Sequence, residues 1–89
     1  MKTYRLLISG LVQGVGFRYF VYRKAKKFGI TGYVRNTEDG RVEIYASGPE
    51  DSLLNFIEIV SRGPVYADVR AFEKEELPYM PFSAFEIRL

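Results

Sequence analysis

The spacing of the apolar residues switches repeatedly between a period of two and one near 3.6, and the order of those switches leaves few folds open. Tyr4 to Ser9 alternates around Leu6 and Ile8, with Leu7 apolar as well, which suits a central strand covered on at least one face. From Phe17 the period lengthens. Phe17, Phe20, Val21, Ala25 and Phe28 share one helical face, Lys24, Lys26 and Lys27 form a solvated one, and Gly29 is a C-terminal stop. Ile30 to Asn36 reads as a strand and Glu38-Asp39-Gly40 as a hairpin turn, and Val42, Ile44 and Ala46 are the inward positions of a half-buried strand. Ser47 to Asp51 opens a second helix, with Pro49 early and two acids in its first turn. Leu53, Phe56, Ile57 and Val60 are its apolar stripe, and Arg62-Gly63-Pro64 ends it. Val65 to Glu73 alternates again around Val69, and Glu73-Lys74-Glu75-Glu76 reads as a solvated strand end. Pro78 to Pro81 is a loop, and Phe85, Ile87 and Leu89 close the chain with a short strand.

Strand, helix, strand, strand, helix, strand is the split strand–helix–strand pattern doubled. It predicts an α+β, ferredoxin-like sandwich: two helices on one face of an antiparallel or mixed sheet of four to five strands. The 89 residues provide for one domain over positions 1–89 and no second core. This architecture hosts many activities, so the chemistry has to come from particular residues.

Composition removes several chemistries. With no cysteine there is no disulfide scaffold and no thiol nucleophile, and with no histidine there is no serine–histidine or cysteine–histidine catalysis. The commonest zinc ligands are missing for the same reason. A net charge of +2 suits a small anionic ligand and carries no strong nucleic-acid signature. No apolar run approaches the ~20 residues of a membrane span. Leu6 to Val12 is broken by Ser9 and Gly10 and reads as a strand rather than a leader, which makes the cytoplasm the expected compartment.

Between the first strand and the first helix lies the most informative stretch, with Gly10, Gly14 and Gly16 in seven residues. Glycines let backbone amides turn inward and approach a ligand closely. Amides converging on a helix N-terminus make an anion site, aided by the helix dipole. The plain alternative is a tight turn that needs positive φ. Arg18 argues against it, because a cation in the first turn is unfavourable by up to ~1 kcal/mol unless an anion sits beside it. The loop lacks the lysine and Ser/Thr of a nucleotide P-loop, and Tyr19 stands where a dinucleotide site has a third glycine. The anion is therefore compact, closer to one phosphoryl group than to a nucleotide.

Asn36 ends a strand just before the turn at Thr37 to Gly40. Asparagine commonly starts turns, which is its ordinary explanation. A strand pairing parallel to the first would instead bring Asn36 beside the glycine loop. An amide cradle, a guanidinium and a neutral side-chain amide can bind phosphate and orient a water. With no obvious base or nucleophile, the substrate needs a good leaving group, and an acyl phosphate qualifies because a carboxylate departs unprotonated. Positioning and charge stabilisation then carry the catalysis, and the water proton can pass to a phosphoryl oxygen.

Ile8-Ser9-Gly10-Leu11-Val12-Gln13-Gly14-Val15-Gly16-Phe17-Arg18 resembles the first signature of the acylphosphatase family at every defining position. Gly32-Tyr33-Val34-Arg35-Asn36, followed by Gly40, Val42 and Gly48, resembles its second signature. The similarity extends through Gly63-Pro64 to Phe85-Glu86-Ile87-Arg88. It implies hydrolysis of the carboxyl–phosphate bond of a small acyl phosphate, with inorganic phosphate as product and no metal or organic cofactor. It implies that Arg18 grips the phosphoryl group with the amides of Gln13, Gly14, Val15, Gly16, Phe17 and Arg18 beside it, and that Asn36 orients the water. It also implies a sheet with the last strand inserted in it. Similar modules occur inside larger carbamoyl-transferring maturation proteins. Ending after one module, the chain is expected to be a free-standing, monomeric enzyme with no nucleic-acid partner.

Two rival readings come from other classes. Gly14, Gly16, Phe17 and Phe20 match part of the ribonucleoprotein octapeptide of an RNA-binding module, but Val15 and Gln13 stand where a stacking aromatic and a basic residue are needed. The segment also follows the first strand instead of forming the third, so its aromatics are not displayed for base stacking. An inactive anion-binding regulator with the same cradle is the second rival, against which the presence of both Arg18 and Asn36 counts.

Overall fold

The computed structural model describes residues Met1–Leu89. Five strands and two helices follow one another as β1 (Lys2–Leu11), α1 (Phe17–Phe28), β2 (Thr31–Asn36), β3 (Val42–Gly48), α2 (Glu50–Arg62), β4 (Asp68–Leu77) and β5 (Phe85–Arg88). The strands form one sheet in the order β4-β1-β3-β2-β5. Every neighbouring pair is antiparallel except β2 and β5, so the sheet is mixed. This is the ferredoxin-like α+β sandwich that the period switches predict.

Alternation decides which side of the sheet is covered. Leu6 and Ile8 of β1, Val34 of β2 and Val42, Ile44 and Ala46 of β3 are fully buried toward the helices. They meet Phe17, Val21 and Ala25 of α1 and Leu53, Phe56, Ile57 and Val60 of α2 in one core cluster. Helical spacing alone identified both stripes. The odd-numbered residues of β1 and β3 point the other way and build a polar face without helices. There Thr3 Oγ1 and Ser47 Oγ share a hydrogen bond of 2.6 Å, and Tyr33 and Tyr45 stack at 5.0 Å.

Three expectations need correction. β2 runs in the same direction as β1 but does not pair with it, because β3 lies between and is antiparallel to both. Ile8 and Asn36 both register with Val42, so the end of β2 lies level with Ile8, three residues before β1 ends and the glycine loop begins. Second, the last strand is not inserted. β5 takes the outer edge beside β2, where its short run has a partner on one side only. Third, β4 begins at Asp68 and runs to Leu77, later than its alternation suggests. Val65 and Tyr66 are 93% and 83% exposed in a turn closed by Ala67 N to Pro64 O, 3.0 Å. Glu73 to Glu76 then lie inside an edge strand, where charges carry no burial cost and discourage pairing with another chain.

Candidate active site

The β1–α1 loop gets its shape from glycine and leaves its amides free. Gly14 and Gly16 have φ of +75° and +78°, in the left-handed region that disfavours side chains. A Cβ at either would meet nothing within 4 Å, so their smallness serves the backbone turn and the open space before it rather than internal packing. Gly16 is the N-cap of α1 and has no side chain to cap with, and the first turn contains no acid. The first helical hydrogen bond runs from Phe20 N to Gly16 O at 3.0 Å. The amides from Gly14 to Tyr19 find no carbonyl. Such a row at the positive end of a helix dipole is an anion receptor.

Gly14, Gly16, Phe17, Arg18 and Tyr19, but not Val15, border a cavity of about 210 Å³. Gly14, Gly16, Phe17 and Arg18 line one side and Asn36 another, with Ile87 of β5 completing the wall. Alternation places Asn36 there, because it lies two residues beyond Val34 on the helix-covered face. Arg18 has no ion pair within the protein. Asn36 Oδ1 is buried with no hydrogen-bond partner. Arg18, which has no carboxylate partner, and Asn36, whose buried Oδ1 has no hydrogen-bond partner, both line one small space, and no side-chain carboxylate lines it. A phosphoryl group would satisfy the first, and a water hydrogen the second.

Gln13 does something other than line the cavity. Its Nε2 donates to the carbonyls of Thr37 and Arg41, each at 2.9 Å, and so ties the glycine loop to the β2–β3 turn that follows Asn36. That turn has its own clasp: Thr37 N to Arg41 O at 2.8 Å, Arg41 N to Thr37 Oγ1 at 2.9 Å, and Thr37 Oγ1 to Asp39. Hydrogen bonds from Arg41 and then Thr37 hold the Asp39 carboxyl down at about 2.

A family model described as acylphosphatase matches residues 4–87. The chain belongs to the acylphosphatase family. An acylphosphatase from Pseudothermotoga lettingae is 48% identical over 98% of both chains. The crystal structure of an acylphosphatase from Bacillus subtilis is 42% identical over the whole of both chains, with a TM-score of 0.96. The fold also matches part of a larger protein: HypF from T. kodakarensis is 37% identical with a TM-score of 0.86, and this chain spans 12% of its length.

Of the seven residues singled out in the sequence, five meet at this cavity: Gly14, Gly16, Phe17, Arg18 and Asn36. The side chains of Gln13 and Val15 do not; Gln13 braces the loop and Val15 packs against the core. Sequence reasoning passed over Val12, Tyr19, Ile87 and Leu89 as wall residues. Ile87 had no local signal, since only the parallel pairing of β5 with β2 brings it there.

Proposed function

We propose that this acylphosphatase-family protein hydrolyses the carboxyl–phosphate bond of acyl phosphates to a carboxylate and inorganic phosphate. The observation that carries the reading is a single cavity lined by glycine-loop residues whose amides find no carbonyl, by Arg18 without an ion pair, and by Asn36, whose Oδ1 has no partner. The Gly14-to-Tyr19 amides and the Arg18 guanidinium hold the phosphoryl oxygens and spread the charge that builds in the transition state. Asn36 Oδ1 accepts one hydrogen of a water and turns its oxygen toward phosphorus. The water oxygen bonds to phosphorus while the acyl-oxygen–phosphorus bond breaks and its electron pair leaves with the carboxylate. The displaced proton passes to a phosphoryl oxygen, so no side-chain base is required.

Benzoyl phosphate hydrolysis in ¹⁸O-labelled water tests this chemistry. Attack at phosphorus places the label in phosphate and none in benzoate. Label in benzoate means attack at the carbonyl, which the cradle and Asn36 are not arranged to promote. Absence of turnover, with phosphate still bound, favours an anion-binding regulator.

A further inference from the structure

Helix α1 holds five cations, Arg18, Arg23, Lys24, Lys26 and Lys27, and no acidic residue. None takes part in an ion pair anywhere in the molecule, although most other Arg and Lys side chains do. Lys26 and Lys27 suit the negative end of the helix dipole. Arg23 and Lys24 lie in mid-helix, where the dipole gives them no such reason to be. Arg23 and Lys27 are also four residues apart, a like-charge spacing that disfavours the helix by a few tenths of a kcal/mol, about 0.2–0.5.

Three of these cations line one groove. It has a volume of about 430 Å³ and is bordered by Gly16, Tyr19, Phe20, Arg23, Lys24 and Lys27. Gly16 and Tyr19 border the phosphoryl cavity as well, so the two spaces adjoin. Tyr19 and Phe20 give the groove apolar walls near the shared border. The Arg23 guanidinium lies over the Tyr19 ring at 6.0 Å and the Lys24 ammonium over Phe20 at 5.5 Å, which keeps the charges close to those walls. Arg23 follows Arg18 by five positions, about 7.5 Å along the helix axis.

We propose that this groove is a second anion subsite, taking an acidic group at the far end of the acyl half of the substrate. The proposal rests on the hydrolytic reading of the neighbouring cavity. The preferred substrates are small acyl phosphates with a second negative charge, the acyl body lying against Tyr19 and Phe20 and its acid meeting Arg23, Lys24 and Lys27.

Two aromatic acyl phosphates of similar shape test it, 4-carboxybenzoyl phosphate and 4-methylbenzoyl phosphate, neither of which can cyclise. The readout is the ratio of their kcat/KM values, which does not depend on the folded fraction of a preparation. At low ionic strength the native protein should favour the carboxylate by about 5–10-fold, and screening by added salt should reduce that preference. In Arg23→Gln/Lys27→Gln the ratio should fall to near unity. In Arg62→Gln/Lys74→Gln, which removes the same charge from other surfaces, it should stay high. A native ratio at or below unity, or an equal loss in both double variants, overturns the subsite while leaving the hydrolytic reading standing. Turnover of neither substrate by the native protein overturns that reading and the subsite with it.

Discussion

Asn36 carries an acceptor that the protein itself does not use. A buried polar atom without a partner costs about 1–3 kcal/mol, so it persists where something outside the chain can fill the gap. In this account a water does. Asn36→Ala should therefore lower turnover of benzoyl phosphate by ~10²–10³, the usual loss for one positioned polar group. Inhibition by inorganic phosphate should change little, because Arg18 and the loop amides remain. Weakened phosphate inhibition with intact turnover would make Asn36 a binding residue instead. Arg18 was legible in the sequence because a lone cation in a first helical turn conflicts with the dipole. Asn36 was only half legible. Its residue type allowed a turn or a site, and the register of β2 on β3, and of β3 on β1, is what brings it to the cavity.

The two helices begin in opposite ways. α2 has Glu50 and Asp51 in its first turn, so its own carboxylates meet its dipole. α1 has a left-handed glycine at its N-cap, no acid and a row of free amides. The contrast was readable, since Pro49-Glu50-Asp51 and Gly14-Val15-Gly16 are local signals. The brace was not. Gln13 reaches Thr37 and Arg41, more than twenty residues away in sequence, and nothing near Gln13 announces it. Gln13→Ala removes both bonds and should destabilise the protein by about 1–2 kcal/mol. Because the brace also fixes the loop relative to Asn36, turnover well below the melting temperature should fall by about tenfold, as expected when reacting groups drift apart. Unchanged turnover in a less stable variant would make the brace purely structural. Alternation starts β4 at Val65, three residues before it begins, because an edge strand with almost no buried side chains gives the pattern little to act on.

Across the whole molecule, the sheet separates its work between two faces. The helix-covered face contains the core and, at one edge, the cavity. The open face carries a charge cluster in which Glu43, 5% exposed, lies between Arg5 and Arg35. Arg5 approaches Glu43 Oε2 at 2.7 Å and Arg35 reaches Oε1 at 2.7 Å. Burial by itself would raise the Glu43 pKa, but hydrogen bonds from Arg35 and Arg5 outweigh it and hold the carboxyl below its ordinary value. A carboxyl with a lowered folded pKa contributes stability that is fully present above the unfolded value, ~4.3, and is lost as the pH falls through the folded one. Glu43→Gln should thus cost about 1–3 kcal/mol near neutral pH, where it leaves two guanidinia facing each other without a counter-ion. Urea midpoints should show that difference shrinking below about pH 4. A difference that is constant with pH, or that grows in acid, would place the stabilisation elsewhere. Alternation put Glu43 outside the core, but its two arginine partners come from β1 and β2, strands that only the folded sheet brings to either side of it.

The proposed phosphoryl site of Arg18 and the loop amides is open to one comparison: benzoyl phosphate turnover, and its competition by inorganic phosphate, in the native protein and in Arg18→Ala side by side. Turnover and competition are expected in the native protein, and the loss of both in a variant that melts at nearly the native temperature. Near-native turnover in Arg18→Ala would contradict the proposed site.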